Sequence, residues 1–245
     1  MDAGIHILSS RLLGQQQQLT TIADNMANLN THGFKRLMYD FEEVSARKEG
    51  QQIGDYTKGI GVVIDHTDGP LENTDNPLDM AIVGDAYFAV EGFGGQVNYT
   101  RNGHFTTDAN GTLVDVYQRP VLDNSGARIL IPLDAKSITV TPDGAMATDQ
   151  GLLTNLGLYT FSTADKRQLQ RMGSAGFSPP EGVAAEPAID VSVLQGKIEG
   201  SNVNAIAETV RLQEMSKAYQ TTLKSVRSIE DLEQRAVRTL SAMPN

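Results

Sequence analysis

The chain has no cysteine among its 245 residues. Disulfides, thiolate metal sites and cysteine nucleophiles are therefore excluded, and such a composition suits an oxidising compartment or passage through one. Basic clusters are also missing: no run of Lys and Arg exceeds the pair Lys35-Arg36, and the formal net charge is −10. That balance leaves no net attraction for nucleic acid or anionic lipid, so neither is expected as a partner. No stretch of about 18 apolar residues is present to span a bilayer, and no membrane insertion is expected. Near the N-terminus Ser9, Ser10, Arg11 and Gln15 to Gln18 interrupt every apolar stretch, so no cleavable Sec-type signal is expected there. If the protein leaves the cytoplasm, it goes by a route that reads something else.

The patterns that carry chemistry are absent too. His6, His32, His66 and His104 fall in unlike segments, with no HExxH and no paired spacing, so no zinc site is expected. Asp108-Ala109-Asn110-Gly111-Thr112 opens like a calcium loop, but its glycine is misplaced and no Glu follows at the twelfth position; it reads as an Asn-Gly turn. Gly59-Ile60-Gly61 and Gly92-Phe93-Gly94-Gly95 lack a following helix and any GKS/T, which makes them turn glycines rather than a phosphate cradle. Glu42-Glu43 and the pair Asp75 and Asp79 are carboxylates of the kind any acidic β-rich protein offers. Asn98-Tyr99-Thr100 is a glycosylation sequon in form only. No enzyme activity, cofactor or metal is expected.

What the chain does carry is a matched pair of ends. Ile5, Leu8, Leu12, Gln15, Leu19, Ile22, Met26 and Leu29 alternate at three- and four-residue spacing, the seam of a coiled coil with one polar break. Gln15 intrudes at that seam, where it can set register, while Gln16 to Gln18 belong to the polar face. Leu212, Met215, Tyr219, Thr222, Val226 and Ile229, then Leu232 or Glu233, Ala236 and Leu240, repeat the pattern at the other end. The spacing predicts a first helix from near Asp2, whose carboxylate suits the first turn, to near Leu29; Asn28, Asn30 and Gly33 tolerate left-handed geometry at its end. The second starts after Asn204 as N-cap, with Glu208 in the first turn, and runs to about Ala242. At roughly 55 Å it is too long for an ordinary small core. Neither helix buries enough on its own seam to offset the ordering of its backbone, so both ends are expected to be poorly ordered in an isolated monomer and to fold on assembly.

Between the ends the period changes. Residues 31–69 read as extended strands and loops punctuated by glycine. Ala81-Ile82-Val83, Ala86 to Val90, Gly111 to Val114 and Ile138-Thr139-Val140 are strand-like, separated by turn signals at Asn102-Gly103, Asn110-Gly111, Asn124 to Gly126 and Pro142-Asp143-Gly144. Ser178 to Gly182 reads as a surface loop, and Val191 to Ile198 as one more strand. The predicted class is α+β, mainly β. Long terminal helices at 1–30 and 203–245 pair as a coiled coil, an extended β connecting region occupies 31–70 and 190–202, and a compact antiparallel β outer domain occupies 71–189.

Four blocks, in order and spread over nearly the whole chain, resemble bacterial flagellar rod and hook proteins. Ile22-Ala23-Asp24-Asn25-Met26-Ala27-Asn28-Leu29-Asn30-Thr31-His32-Gly33-Phe34-Lys35-Arg36 is similar to the family's N-terminal signature, with Asp24 where Asn is usual. Gly69 to Ile82 resembles its Gly-x-Leu…Thr…Asn-x-Leu-Asp-x-Ala-Ile stretch, and Tyr99 to Phe105 its Tyr-Thr-Arg-(Asn/Asp)-Gly-x-Phe hairpin; Ala86 stands where Gly is common. Glu199 to Asn204 and Lys217-Ala218-Tyr219-Gln220 resemble Gly-Ser-Asn-Val-Asn and Arg-Ala-Tyr-Glu, Lys217 losing the planar fork of an Arg. The start Met1 to Ile5 and the short stretch between Phe41 and Gly59 resemble the proximal-rod branch of the family. The resemblance implies a structural subunit of the periplasmic rod of the flagellar basal body. It also implies export by the flagellar type III apparatus without cleavage, and other rod proteins and copies of itself as partners.

On this reading the assembly interface comprises the seam residues Ile5, Leu8, Leu12, Leu19, Ile22, Met26, Leu29, Leu212, Met215, Tyr219, Val226 and Ile229. To these are added the junction Asn25, Asn28, Gly33, Phe34 and Lys35, and the segment Ser201, Asn202, Val203 and Asn204. Asn25 and Asn28 read equally as helix C-terminal residues and as inter-subunit hydrogen-bonders. Two alternatives stand beside it. One is the distal rod protein of the same family. The other is a secreted β-rich binding protein or enzyme with coiled-coil ends, whose activity would survive deletion of residues 1–30.

Overall fold

The structure, a computed structural model, describes residues 2–48 and 51–241, with side chains described over 7–40 and 61–232 and at 234, 235 and 238. The seam positions Ile5, Glu233, Ala236 and Leu240 therefore have side chains outside the described set. The fold mixes helix and strand, mainly strand, with one long helix at each end. It divides into a helical unit, Met1–Ala27, Leu37–Asp65 and Asn204–Asn245, and a β unit, Asn28–Arg36 and His66–Val203. The region read as a connector at 31–70 and 190–202 is apportioned between them.

In the helical unit the N-terminal helix spans Asp2–Ala27 and the C-terminal helix Ala205–Ser241. The first stops two residues before Leu29, where Asn28 to Asn30 form a turn closed by Thr31 N–H donating to the Asn28 carbonyl at 3.2 Å. The second is capped as its sequence suggests: Asn204 Oδ1 accepts the Ala207 N–H at 3.0 Å. Between them, β1 (Leu37–Lys48) and β2 (Gln51–Ile64) form one long antiparallel ribbon, bulged between Asp40 and Phe41 and between Ala46 and Arg47. The glycines at 54, 59 and 61 do not break it into short strands, because the bulges absorb the extra residues.

The β unit holds fifteen further strands. They are β3 (Leu71–Asn73), β4 (Met80–Val83), β5 (Tyr87–Glu91), β6 (Val97–Thr100), β7 (Thr106–Thr107), β8 (Leu113–Val114), β9 (Ile138–Val140), β10 (Ala145–Thr148) and β11 (Gly151–Asn155). There follow β12 (Leu158–Thr160), β13 (Gln170–Met172), β14 (Gly176–Ser178), β15 (Glu186–Pro187), β16 (Ser192–Gln195) and β17 (Lys197–Glu199). The largest sheet has six antiparallel strands in the order β13-β14-β6-β5-β12-β15. Its central β5 is buried on both faces. Alternation along the strand sends Phe88 and Val90 into the main core with Met80, Phe105, Leu113 and Met146, the Phe88 and Phe105 rings meeting edge to face at 5.1 Å. Tyr87 goes to the other face, against Phe161 at 5.9 Å and Phe177 at 5.5 Å.

One five-residue turn recurs at 108–112, 115–119, 123–127 and 141–145. Each time the first N–H donates to the fifth carbonyl, the fourth N–H donates back to the first carbonyl, and the fourth residue has positive φ. In three of them the first residue is Asp, and its carboxylate also takes the N–H groups of the third and fifth residues. These bonds, Thr112 N–H foremost, hold the Asp108 carboxyl below its usual range. The geometry favours glycine at the fourth position, and Gly111, Gly126 and Gly144 supply it; Gln118 adopts φ 61° without one.

Two expectations are corrected. Asn102-Gly103 is not a turn: Gly103 is required by close approach, since a Cβ there would lie 1.6 Å from the Met80 carbonyl oxygen. Val191 to Ile198 is two strands, because Gly196 at φ 72° redirects the chain from pairing with β4 to pairing with β3.

Candidate assembly interface

The two terminal helices pack on each other, and the N-terminal helix also lies along both strands of the ribbon. Burial on both follows the heptad. Leu8, Leu12, Leu19 and Met26 are half-buried and Gln15 and Ile22 buried, while Arg11, Gln16 and Gln17 are exposed. On the C-terminal helix Leu212, Met215, Tyr219, Val226 and Ile229 are half-buried and Thr222 buried, with Glu214, Lys217 and Gln220 exposed. Few of these positions are fully covered: Ile22 and Leu37 are the only buried apolar side chains described in the helical unit. Among its described side chains the 37-residue C-terminal helix buries only the polar Glu208 and Thr222, and Glu208 accepts from Arg211 at 2.7 Å. A groove of about 410 Å³ stays open between the helices beside Leu8, Arg11, Lys217 and Thr221.

Asn25 does more than end a helix. Its side-chain Nδ2 donates to the Leu37 carbonyl and its Oδ1 accepts the Leu37 N–H, both at 2.8 Å, so a buried carboxamide stands in for a strand partner at the start of β1. Asn28 Oδ1 accepts from the Thr31 hydroxyl at 3.1 Å.

The remaining junction residues converge within the β unit on one buried carboxylate. Glu199 Oε1 accepts from Lys35 Nζ at 2.7 Å and from Gly69 N–H at 3.0 Å; Arg101 Nε lies 3.3 Å from its Oε2. Lys35 Nζ also donates to the Thr67 carbonyl at 2.6 Å, and Arg101 Nη2 pairs with Asp68. The side chains of Lys35, Arg101 and Glu199 are each at most 3% exposed. Opposite charges that close and this dry are retained only because each supplies the other's missing solvation. Backbone fit reinforces the ions. Gly33 N–H donates to the Glu199 carbonyl at 2.7 Å, and a Cβ on Gly33, at φ 69°, would lie 2.3 Å from Asn102 N. Phe34 is fully buried beneath the Arg171 guanidinium at 4.7 Å. Asn202 Oδ1 accepts the Arg36 N–H at 2.6 Å while its Nδ2 donates to the Thr67 carbonyl at 2.9 Å. Ser201 is buried and its hydroxyl accepts from Val203 N–H at 3.3 Å. Next to this cluster burial lowers the His66 imidazole and raises the Tyr87 phenol, the two groups meeting at 2.8 Å.

Gly33, Phe34, Lys35, Ser201 and Asn202 are thus brought together, whereas the seam residues form a separate set in the helical unit. Reading the sequence missed the roles of Asp68, Arg101 and Glu199. The available signal was that Lys35, Arg101 and Glu199, two cations and an anion, sit one each in three motif blocks. Among the described residues no group of three or more His, Asp or Glu could hold a metal ion, and no helix is long and apolar enough to cross a membrane.

Three family models match the chain: flagella basal body rod protein over residues 5–35, flagellar hook protein FlgE/F/G D1 domain over 81–148, and flagellar basal body rod FlgEFG protein C-terminal over 194–239. Flagellar basal-body rod protein FlgF of Mesorhizobium japonicum is 32% identical over 245 residues, covering 99% of each chain. The chain belongs to the flagellar basal-body rod protein family. FlgF of Caulobacter vibrioides is 32% identical over 98% of each chain, and FlgG of Agrobacterium fabrum 32% identical over 92% of this chain and 95% of its own. The buried ion cluster takes Lys35 from the first rod-family match, Arg101 from the second and Glu199 from the third.

Proposed function

We propose that this chain is a structural subunit of the proximal flagellar rod, playing the part of its FlgF relatives, and that its terminal helices pair as a coiled coil completed by neighbouring subunits. The observation that carries this is the half-buried heptad: seam side chains on both helices face inward at coiled-coil spacing, yet hardly any apolar one is fully covered within one chain. About 25 cal/mol per Å² of apolar surface is still to be gained there when another subunit packs on. The interface with neighbours is heterologous, so copies and other rod proteins add helically rather than closing into a ring. The helical ends carry axial contacts and resist twist, and the β unit adds lateral contacts. Torque is transmitted mechanically, and no catalysis is involved. The subunit reaches the periplasmic rod through the flagellar export apparatus without cleavage.

The FlgG relative at 32% identity supports a second reading, the distal rod position. Rod position and copy number in isolated basal bodies separate the two. The rod reading itself is tested by single cysteines at Leu12 and Val226, introduced into a chain that has none and oxidised in assembled basal bodies. Cross-links to rod subunits are expected, and their complete absence would overturn it.

A further inference from the structure

The last stretch of the β unit, residues 192–202, is laid across parts of the chain that lie far from it in sequence. β16 pairs with β4 and β17 with β3, both antiparallel, and Gly196 turns the chain between them. The Gln195 carboxamide reaches three backbone groups: its Nε2 donates to the carbonyls of Pro77 at 2.8 Å and Ile138 at 2.9 Å, and its Oε1 accepts the Val140 N–H at 3.1 Å. Val193 N–H donates to the Pro142 carbonyl and Gly200 N–H to the Pro70 carbonyl, both at 2.8 Å. Toward its end the stretch takes hold of residues 33–36: the Glu199 carbonyl accepts from Gly33 N–H, the Glu199 carboxylate from Lys35 Nζ, and Asn202 Oδ1 from Arg36 N–H.

These ties are long in sequence. Gln195 to Val140 spans 55 residues, Glu199 to Lys35 164, and Asn202 to Arg36 166. Closing loops of that length costs entropy before any contact repays it, so such pairings form late unless something else has already gathered their ends. The rest of the β unit can do the gathering. Val193 apart, the buried residues of the main core fall between Met80 and Leu156, and the six-stranded sheet contains neither β16 nor β17. That sheet has local pairings to start from: β5 meets β6 across the turn at 92–96, and β13 meets β14 across 173–175. Residues 192–202 dock on what those pairings build.

We propose that residues 192–202 are a strap that closes over an already formed β core, and that residues 33–36 dock only when it closes. Before closure Gly33 N–H lacks the Glu199 carbonyl, and Lys35 and Arg101 lack the buried Glu199 carboxylate. A chain made from its N-terminus onward therefore keeps the segment after its first helix undocked until its last strand is present. Closure belongs to the free chain, so it goes beyond the rod reading and does not depend on it.

Pulse-labelling hydrogen exchange during refolding of the full-length chain from denaturant tests the order of events. Amides of β5 and β6 are expected to become protected first, with the N–H groups of Gly33, Gly196 and Gly200 following together in a phase slower by about tenfold or more. Protection of Gly196 and Gly200 in the same phase as β5 and β6, or of Gly33 ahead of Gly196 and Gly200, overturns the proposal. Glu199→Gln removes the charge of the strap and keeps its shape. In that variant the native-state amides of Gly33, Gly196 and Gly200 are expected to exchange faster, while the rate at which β5 and β6 form stays that of the parent. A slower β5 and β6 phase would place the strap in the folding nucleus and overturn the proposal. If the variant fails to fold, the labelling order in the unmodified chain decides.

Discussion

The β unit buries an apolar core of its own, with Met80, Phe88, Val90, Phe105, Leu113 and Met146 at zero exposure, whereas the only apolar side chains buried among the described residues of the helical unit are Ile22 and Leu37. Polar groups divide the same way. In the β unit Lys35 and Arg101 pair with the buried Glu199, with Asp68 supplying the second negative charge, and the Asp turns consume their own backbone donors. In the helical unit Asn25 is the one described side chain whose two amide atoms join helix to ribbon. One unit therefore buries an apolar core within its own chain, while the described side chains of the other leave most of its seam only half-covered.

The comparison can be broken or sharpened by substitution. Glu199→Ala should have the largest effect, because it leaves the buried Lys35 and Arg101 with only the solvent-exposed Asp68 as counter-charge; a loss of about 3–5 kcal/mol is expected in denaturant unfolding of the β unit. A loss under about 1 kcal/mol would mean that the β unit is not held from within. Asn25→Ala strips the Leu37 N–H and carbonyl of their buried partners, a cost of about 2 kcal/mol. That cost should fall on the helical unit alone, read as lost helical circular dichroism with the β unit's unfolding midpoint unmoved. Leu12→Ala should matter least to the free chain, under about 1 kcal/mol, because the side chain is only half-buried; a buried core Leu would cost about 2–5 kcal/mol. The same variant should sharply reduce assembly, scored as motility in soft agar. A core-like penalty in the free chain would place the completed interface within one subunit.

Much of this division was legible in the residues. The heptads placed both helices and the faces they turn inward, since a 3.5-residue period survives whatever packs against it. Asn204 was readable as a cap, and three of the four recurrent turns announced themselves through Asn-Gly, Ser-Gly or Asp-Gly. The fourth hid because Gln118 occupies a position that local chemistry would give to glycine, and its neighbours impose the conformation. Gly103 and Gly196 misled in opposite directions: one serves close packing where a turn was expected, the other redirects a strand expected to continue. The ion cluster was least visible, because Lys35, Arg101 and Glu199 are far apart in sequence and no local period relates them. Only the long-range pairing of strands brings them into one interior.

The central claim, that one unit is complete within the chain and the other is completed by neighbours, is tested most directly by amide hydrogen exchange on dilute full-length protein. The account predicts strong protection across β5, β6 and β10, with amides of Asp2–Ala27 and Ala205–Ser241 exchanging orders of magnitude faster until the chain is assembled. Helix amides protected as strongly as those of β5 in the free chain would contradict it.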